Sequence, residues 1–203
     1  MAKTTTPAEG SARKHRRADA ERSIAAILNA ALEALASDPD SSMSEIARRA
    51  GVVRATIYVH FATREALLDA VMEHAVAEVA EATRQAEPQR GEPKEALERV
   101  LRATWRELSR FHALLAINTA RLSPEELRRR HLPVLNQLAP LIERGQEEGV
   151  FRSDLPVSWH LAVIRAIVHT ASSEIQSERI PEAEAEAAML STAVAAISER
   201  EQR

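Results

Sequence analysis

The chain has 203 residues, enough for one large domain or two small ones. It contains no cysteine, which excludes disulfides, thiolate metal centres and cysteine nucleophiles and fits a reducing cytoplasm. The net charge of −3 is unevenly spread: residues 1–64 hold ten Lys and Arg against seven Asp and Glu, leaving 17 against 23 for residues 65–203, so the N-terminal part is the one suited to phosphates.

Only five glycines, 3% aromatic residues and an abundance of Ala, Glu, Leu and Arg predict an all-α fold with no strand, because these side chains lose little rotamer freedom in a helix. No stretch approaches the roughly 20 apolar residues of a membrane span, and residues 1–20 lack the apolar core of a signal peptide. A cytoplasmic protein without a membrane partner is expected.

In chain order, residues 1–17 read as a disordered tail ending in the basic cluster Arg13, Lys14, Arg16 and Arg17. From Ala18, Ile24, Ile27, Leu28, Ala31 and Leu35 recur at helical spacing until Pro39 stops the pattern. A short helix with Met43, Ile46, Ala47 and Ala50 on one face follows, with Ser41 and Ser42 as possible caps and Gly51 as its left-handed terminator. After a tight turn, Arg54 to Phe61 forms a third helix with Ile57 and Phe61 one turn apart. A fourth opens at Arg64-Glu65, carries Leu68, Val71, Met72, Ala75 and Val79, and ends before Pro88.

The run 87–93, with two prolines and a glycine, is the one break in mid-chain. Beyond it the pattern predicts helices at about 94–109, 111–121, 124–148, 156–178 and 182–199. Ser123-Pro124-Glu125-Glu126 is a helix start with a capping box, and Pro133 and Pro140 predict that the helix after it is kinked or divided.

Two short helices around a glycine turn are common, but the detailed run is more specific. Ser44-Glu45-Ile46-Ala47-Arg48-Arg49-Ala50-Gly51-Val52, then Thr56-Ile57-Tyr58-Val59-His60-Phe61, then Arg64-Glu65-Ala66-Leu67-Leu68 resembles the N-terminal domain of the TetR/AcrR family of bacterial helix-turn-helix regulators. The likeness covers about residues 18–70. It implies a helix-turn-helix domain over 18–64, a helical effector-binding and dimerisation domain over 65–203, and a ligand-responsive regulator released from a palindromic operator by a small molecule.

A recognition helix places its first residues at base edges in the major groove while neighbouring groups hold its register on phosphates. Arg54, Ala55 and Thr56 are the candidate base contacts: Arg54 offers two donors to guanine, and Thr56 a hydroxyl and a methyl. Ser42 and Ser44 are candidate phosphate contacts at a helix start, where the dipole favours anions. The resemblance adds Tyr58 and Arg64, with Arg64 standing where lysine is commoner, and His60 completes the phosphate set. Ile46, Ala47, Gly51, Ile57 and Phe61 are read as the core of the motif. Position 53, often serine in the family, is Val53, which has no side-chain acceptor to cap the recognition helix.

In the last two predicted helices, Ile164, Ile167, Ala171, Ile175, Leu190, Val194 and Ile197 are expected, by the resemblance, to form a four-helix homodimer interface. Trp105, Phe111, His112, Asn118 and Trp159 are candidates for the effector pocket, an apolar site needing few polar groups.

No cofactor, metal or catalytic role is expected. None of the seven histidines has a glutamate three residues before it, and the chain has no His-Glu-x-x-His, phosphate-binding glycine loop or Gly-x-Ser-x-Gly. The alternative left open is a helical protein-interaction module that does not read DNA sequence. Activation in place of repression is also open.

Overall fold

The computed structural model describes residues 7–109 and 123–199, with side chains from residue 19 onward apart from that of Pro124. Eight helices are described: α1 (Pro7–Ser37), α2 (Met43–Arg49), α3 (Arg54–His60), α4 (Arg64–Gln85), α5 (Pro93–Ser109), α6 (Pro124–Glu147), α7 (Val157–Gln176) and α8 (Glu182–Ile197). Among the described residues the only strand-like pairing is one antiparallel bridge, Phe151 with Ser198. The fold is all-α, as expected, and no described helix is long and apolar enough to cross a membrane. The predicted helix at 111–121, with Phe111, His112 and Asn118, lies outside the described residues.

Two boundaries differ from expectation. Helix α1 begins at Pro7, so the segment 7–17 read as a disordered tail is helical. Its Ala, Glu, Lys and Arg are good helix formers, and the missing apolar period reports the lack of a buried face, not the lack of a helix. The two compact units divide between Val71 and Met72, inside α4, and not at residue 64. A domain boundary that falls within a continuous helix leaves no loop signal in the sequence.

The first unit packs α1 on α2 and α2 on α3. Ile27, Ala31, Leu35, Ile46, Ile57 and Leu67 are wholly buried in it, at the helical spacing that made these segments amphipathic. Ser42 is the N-cap of α2, its hydroxyl accepting from Glu45 N at 3.2 Å. The end of α2 is closed by bonds from Gly51 N to Arg48 O (3.2 Å) and Val52 N to Ala47 O (3.0 Å), with Gly51 at φ +69°. That double closure needs a left-handed residue, which glycine adopts without a Cβ penalty.

In the second unit α5 packs against α6, α7 and α8, while α7 packs on both α6 and α8. Trp105, Leu97, Leu141, Ile142, Phe151 and Met189 lie at its centre. Helix α6 is undivided despite Pro133 and Pro140. Its start carries the predicted capping box, Ser123 Oγ accepting from Glu126 N at 3.3 Å and Glu126 Oε2 accepting from Ser123 N at 3.3 Å. The α4–α5 turn is braced by two arginines: Arg99 donates to Ala86 O (2.7 Å), Glu87 O (3.0 Å) and Arg90 O (2.8 Å), and Arg144 to Gly91 O (2.7 Å). The bend after α6 is fixed by Gly145, whose added Cβ would sit 2.0 Å from the buried Phe151 ring. Only glycine lets that ring close on the helix.

Candidate nucleic-acid interface and ligand cavity

Helix α3 is held by one fully buried side chain, Ile57, and by Phe61 just past its end. At 100° per residue this turns Ala55 and Val59 to the opposite face, with Arg54 and Tyr58, one turn apart, along its flank, and all four are exposed. Tyr58 is 40% and Val59 80% exposed, and the Arg54 guanidinium carbon lies 5.5 Å from the Tyr58 ring centroid. The cation and the ring therefore brace each other without consuming the donors of Arg54. Thr56 and His60 are half-buried on the flanks of this face, and Ser42 and Ser44 are exposed at the start of α2.

Two details depart from the sequence reading. Arg64, placed on phosphate by resemblance, turns its guanidinium inward: Nη2 donates to Pro39 O at 2.7 Å and Nη1 to Ser41 O. These carbonyls belong to the turn before α2, which is also held by Ser41 N on Asp38 O (3.0 Å) and Ser41 Oγ on Ala34 O (3.2 Å). Arg64 is thus a brace that sets the height of the Ser42 cap. Val59 joins the exposed face of α3 beyond the residues the sequence points to, and a large apolar side chain on the exposed stripe of such a helix is itself a signal. Val53 is the N-cap of α3 without a side-chain cap bond, as its chemistry requires, and is 70% exposed. Beside the helix, Glu45 holds Arg48 (2.6 Å) and Arg49 (3.1 Å), and these two guanidiniums lower its pKa to about 2.

The second unit contains a cavity of about 80 Å³ lined from α4 by Met72 and Val79, from α5 by Leu101 and Thr104, from α6 by His131 and Leu138, and from α7 by Arg165 and His169, with further aliphatic groups between them. The His131 and His169 rings meet edge to face, centroids 5.3 Å apart. His131 Nδ1 lies 2.6 Å from Leu127 O, so that nitrogen carries the proton. Burial lowers the pKa of both rings, His169 to about 4, with help from the charge of Arg165.

Of the five residues expected at the pocket, only Trp105 and Trp159 are among the described residues. Trp105 is 2% exposed and belongs to the core, and Trp159 is 56% exposed near the start of α7, so neither lines the cavity. Size alone does not say which way an aromatic side chain faces. His169 and Arg165 had a usable signal, being polar residues four apart, of which Arg165 interrupts and His169 ends the apolar run from Leu161 to Val168.

Of the residues expected at a dimer interface, Ile164, Ala171, Leu190, Val194 and Ile197 are buried within the single chain. Helices α7 and α8 pack on each other and on α5, which consumes those faces. Ile167 and Ile175 are only half-buried.

A capped helix, a glycine turn and a second helix whose outward face carries Arg54 and Tyr58 define a helix-turn-helix DNA-binding protein. Residues 27–71 match the model of the bacterial regulatory proteins of the tetR family. The chain is 29% identical over 131 residues to the HTH-type transcriptional regulator NfxB of Pseudomonas aeruginosa, covering 64% of this chain and 70% of that protein. Its fold is similar to LfrR of Mycobacterium smegmatis, solved in complex with proflavine (24% identity, 85% of this chain and 94% of that one, TM-score 0.63). It is also similar to FadR of Bacillus subtilis, solved with stearoyl-CoA (23% identity, 83% and 96%, TM-score 0.67). Residues 27–71 are thus a DNA-binding domain of the tetR type, and the chain is a DNA-binding transcription regulator.

Proposed function

We propose that the protein is a homodimeric repressor that holds a palindromic operator through α3 and lets go when a small molecule enters the cavity between α4, α5, α6 and α7. The observation that carries this is the exposed face of α3, where Arg54, Ala55, Tyr58 and Val59 stand clear of the core that fixes the helix. Arg54, Ala55 and Thr56 read bases, with Val59 added to them, while Ser42, Ser44, Tyr58 and His60 take phosphates. Arg64 acts one step behind, through the turn it braces. The setting is the bacterial cytoplasm, on nucleoid DNA.

A two-fold dimer is what brings two copies of α3 to half-sites about one helical turn or a multiple apart. Residues of α7 and α8 left open to a partner include Trp159, Ala166, Ile167 and Thr170 on the one, and Ala188, Thr192 and Ala195 on the other. The bound proflavine and stearoyl-CoA of the two relatives support a ligand role for the cavity. Ligand binding releases DNA only if the ligand favours a dimer shape whose recognition helices no longer match the operator spacing.

Selection of genomic fragments by the full chain, at low and then near-physiological salt, tests this reading. A palindrome surviving the salt step is expected. Binding that vanishes without sequence preference would leave a helical interaction module instead.

A further inference from the structure

The wall of the cavity is one-sided in charge. Among the described residues fifteen line it: eleven are aliphatic or Met, four are Thr104, His131, Arg165 and His169, and none is Asp or Glu. Arg165 makes no ion pair or hydrogen bond with any described residue. A guanidinium at the edge of an apolar space costs desolvation unless an anion joins it. A cationic ligand entering here would meet Arg165 and find no carboxylate to pair with.

We propose that the effector is a small apolar acid, its carboxylate on Arg165 and His169 and its hydrocarbon body among Val79, Leu101, Val134 and Leu138. This rests on the reading of the cavity as the effector site. Arg165 and His169 lie four residues apart on α7 and so share one face, able to take the two oxygens of a single carboxylate. His131 presses on His169 from α6, its Nδ1–H committed to Leu127 O, so the edge of the pair left open to a ligand belongs to His169. Among the described residues no other titratable or charged group lines the space: α4 contributes Met72, Ala75, Val76 and Val79, and α5 contributes Leu101, Thr104 and Leu108. His169 is neutral in the empty cavity, and an incoming carboxylate raises its proton affinity, so binding takes up a proton as the pH falls. The volume of about 80 Å³ limits the ligand to a short apolar body seated partly at the mouth, and a long acyl chain would need the helices to part.

The test is calorimetric titration of the intact protein with hexanoate, hexanol and hexylamine, which share one apolar body and differ in head group. Hexanoate should bind about tenfold or more tighter than hexanol, hexylamine should be weakest, and the lead of the acid should grow as pH is lowered from 8 to 6. Arg165→Gln should bring the acid-to-alcohol ratio to about one, and His169→Gln should remove its pH dependence. Hexanol or hexylamine binding as well as hexanoate, or a ratio untouched by Arg165→Gln, overturns the acid class and leaves the cavity as an effector site. Silence from all three probes overturns both.

Discussion

The guanidinium of Arg64, at the first residue of α4, donates to the carbonyl of Ser41, the residue immediately before the cap of α2. With its second bond to Pro39 O it ties the start of α4 to the turn that presents Ser42. The same charge that suits a phosphate is used inside the protein. Arg64→Gln should therefore weaken operator binding by disturbing α2, and lower the melting temperature, without changing the salt dependence. A direct phosphate contact would instead reduce the slope of log affinity against log salt by about 1. Affinity measured at several salt concentrations separates the two.

Val53 leaves the N-terminal amides of α3 without a side-chain acceptor. Val53→Ser supplies one at an exposed position and should stabilise the protein by about 1 kcal/mol in urea denaturation. Should the side chain also rest on a thymine methyl, the same variant will bind its operator more weakly, and a thymine-to-uracil substitution will weaken only the parent.

Gly145→Ala would place a methyl 2.0 Å from the ring of the fully buried Phe151. A loss of about 1–3 kcal/mol is expected. Adding Phe151→Leu should recover part of it, a non-additivity that a simple loss of helix propensity would not produce.

His169 is held neutral by burial, its pKa lowered to about 4, and His131 is lowered too. In the unfolded chain both titrate near 6.5, so between those values the unfolded state binds more protons than the native one. Stability should be fully present above pH 6.5 and fall as the pH drops from about 6.5 towards 4. Glu45, Glu81, Glu126 and Glu174, whose pKa values are lowered from 4.5, contribute to the slope only towards the acid end of this range. His169→Leu should flatten the curve between pH 6.5 and 5.

Ala75 borders the cavity from α4 and is nearly buried. Ala75→Leu fills part of the space with hydrocarbon and should leave stability and operator affinity close to the parent while abolishing ligand release. Gel shifts with and without ligand read this directly.

The DNA-reading half was legible because its signals are local. Caps, a glycine stop and a four-residue apolar spacing lie within one stretch, and the bounds of α2 and α3 follow from them. The cavity was not, because it gathers residues as far apart as Met72 and His169, and no sequence pattern says which apolar face meets which. Ile164 and Val194 illustrate the same limit: both belong to apolar faces, and only packing assigns them to the interior of the chain instead of a partner. Arg64 shows the limit of motif transfer, since a matched position kept its charge and turned it to two backbone carbonyls of its own chain.

The central claim is that α3 reads sequence. The most direct measurement is the ratio of affinities for the selected palindrome and for a scrambled duplex at near-physiological salt, in the parent and in Arg54→Ala. A ratio of about 10³ or more that falls by roughly tenfold in the variant is the expected result. A parent ratio near one, with Arg54→Ala weakening both duplexes equally, would contradict it.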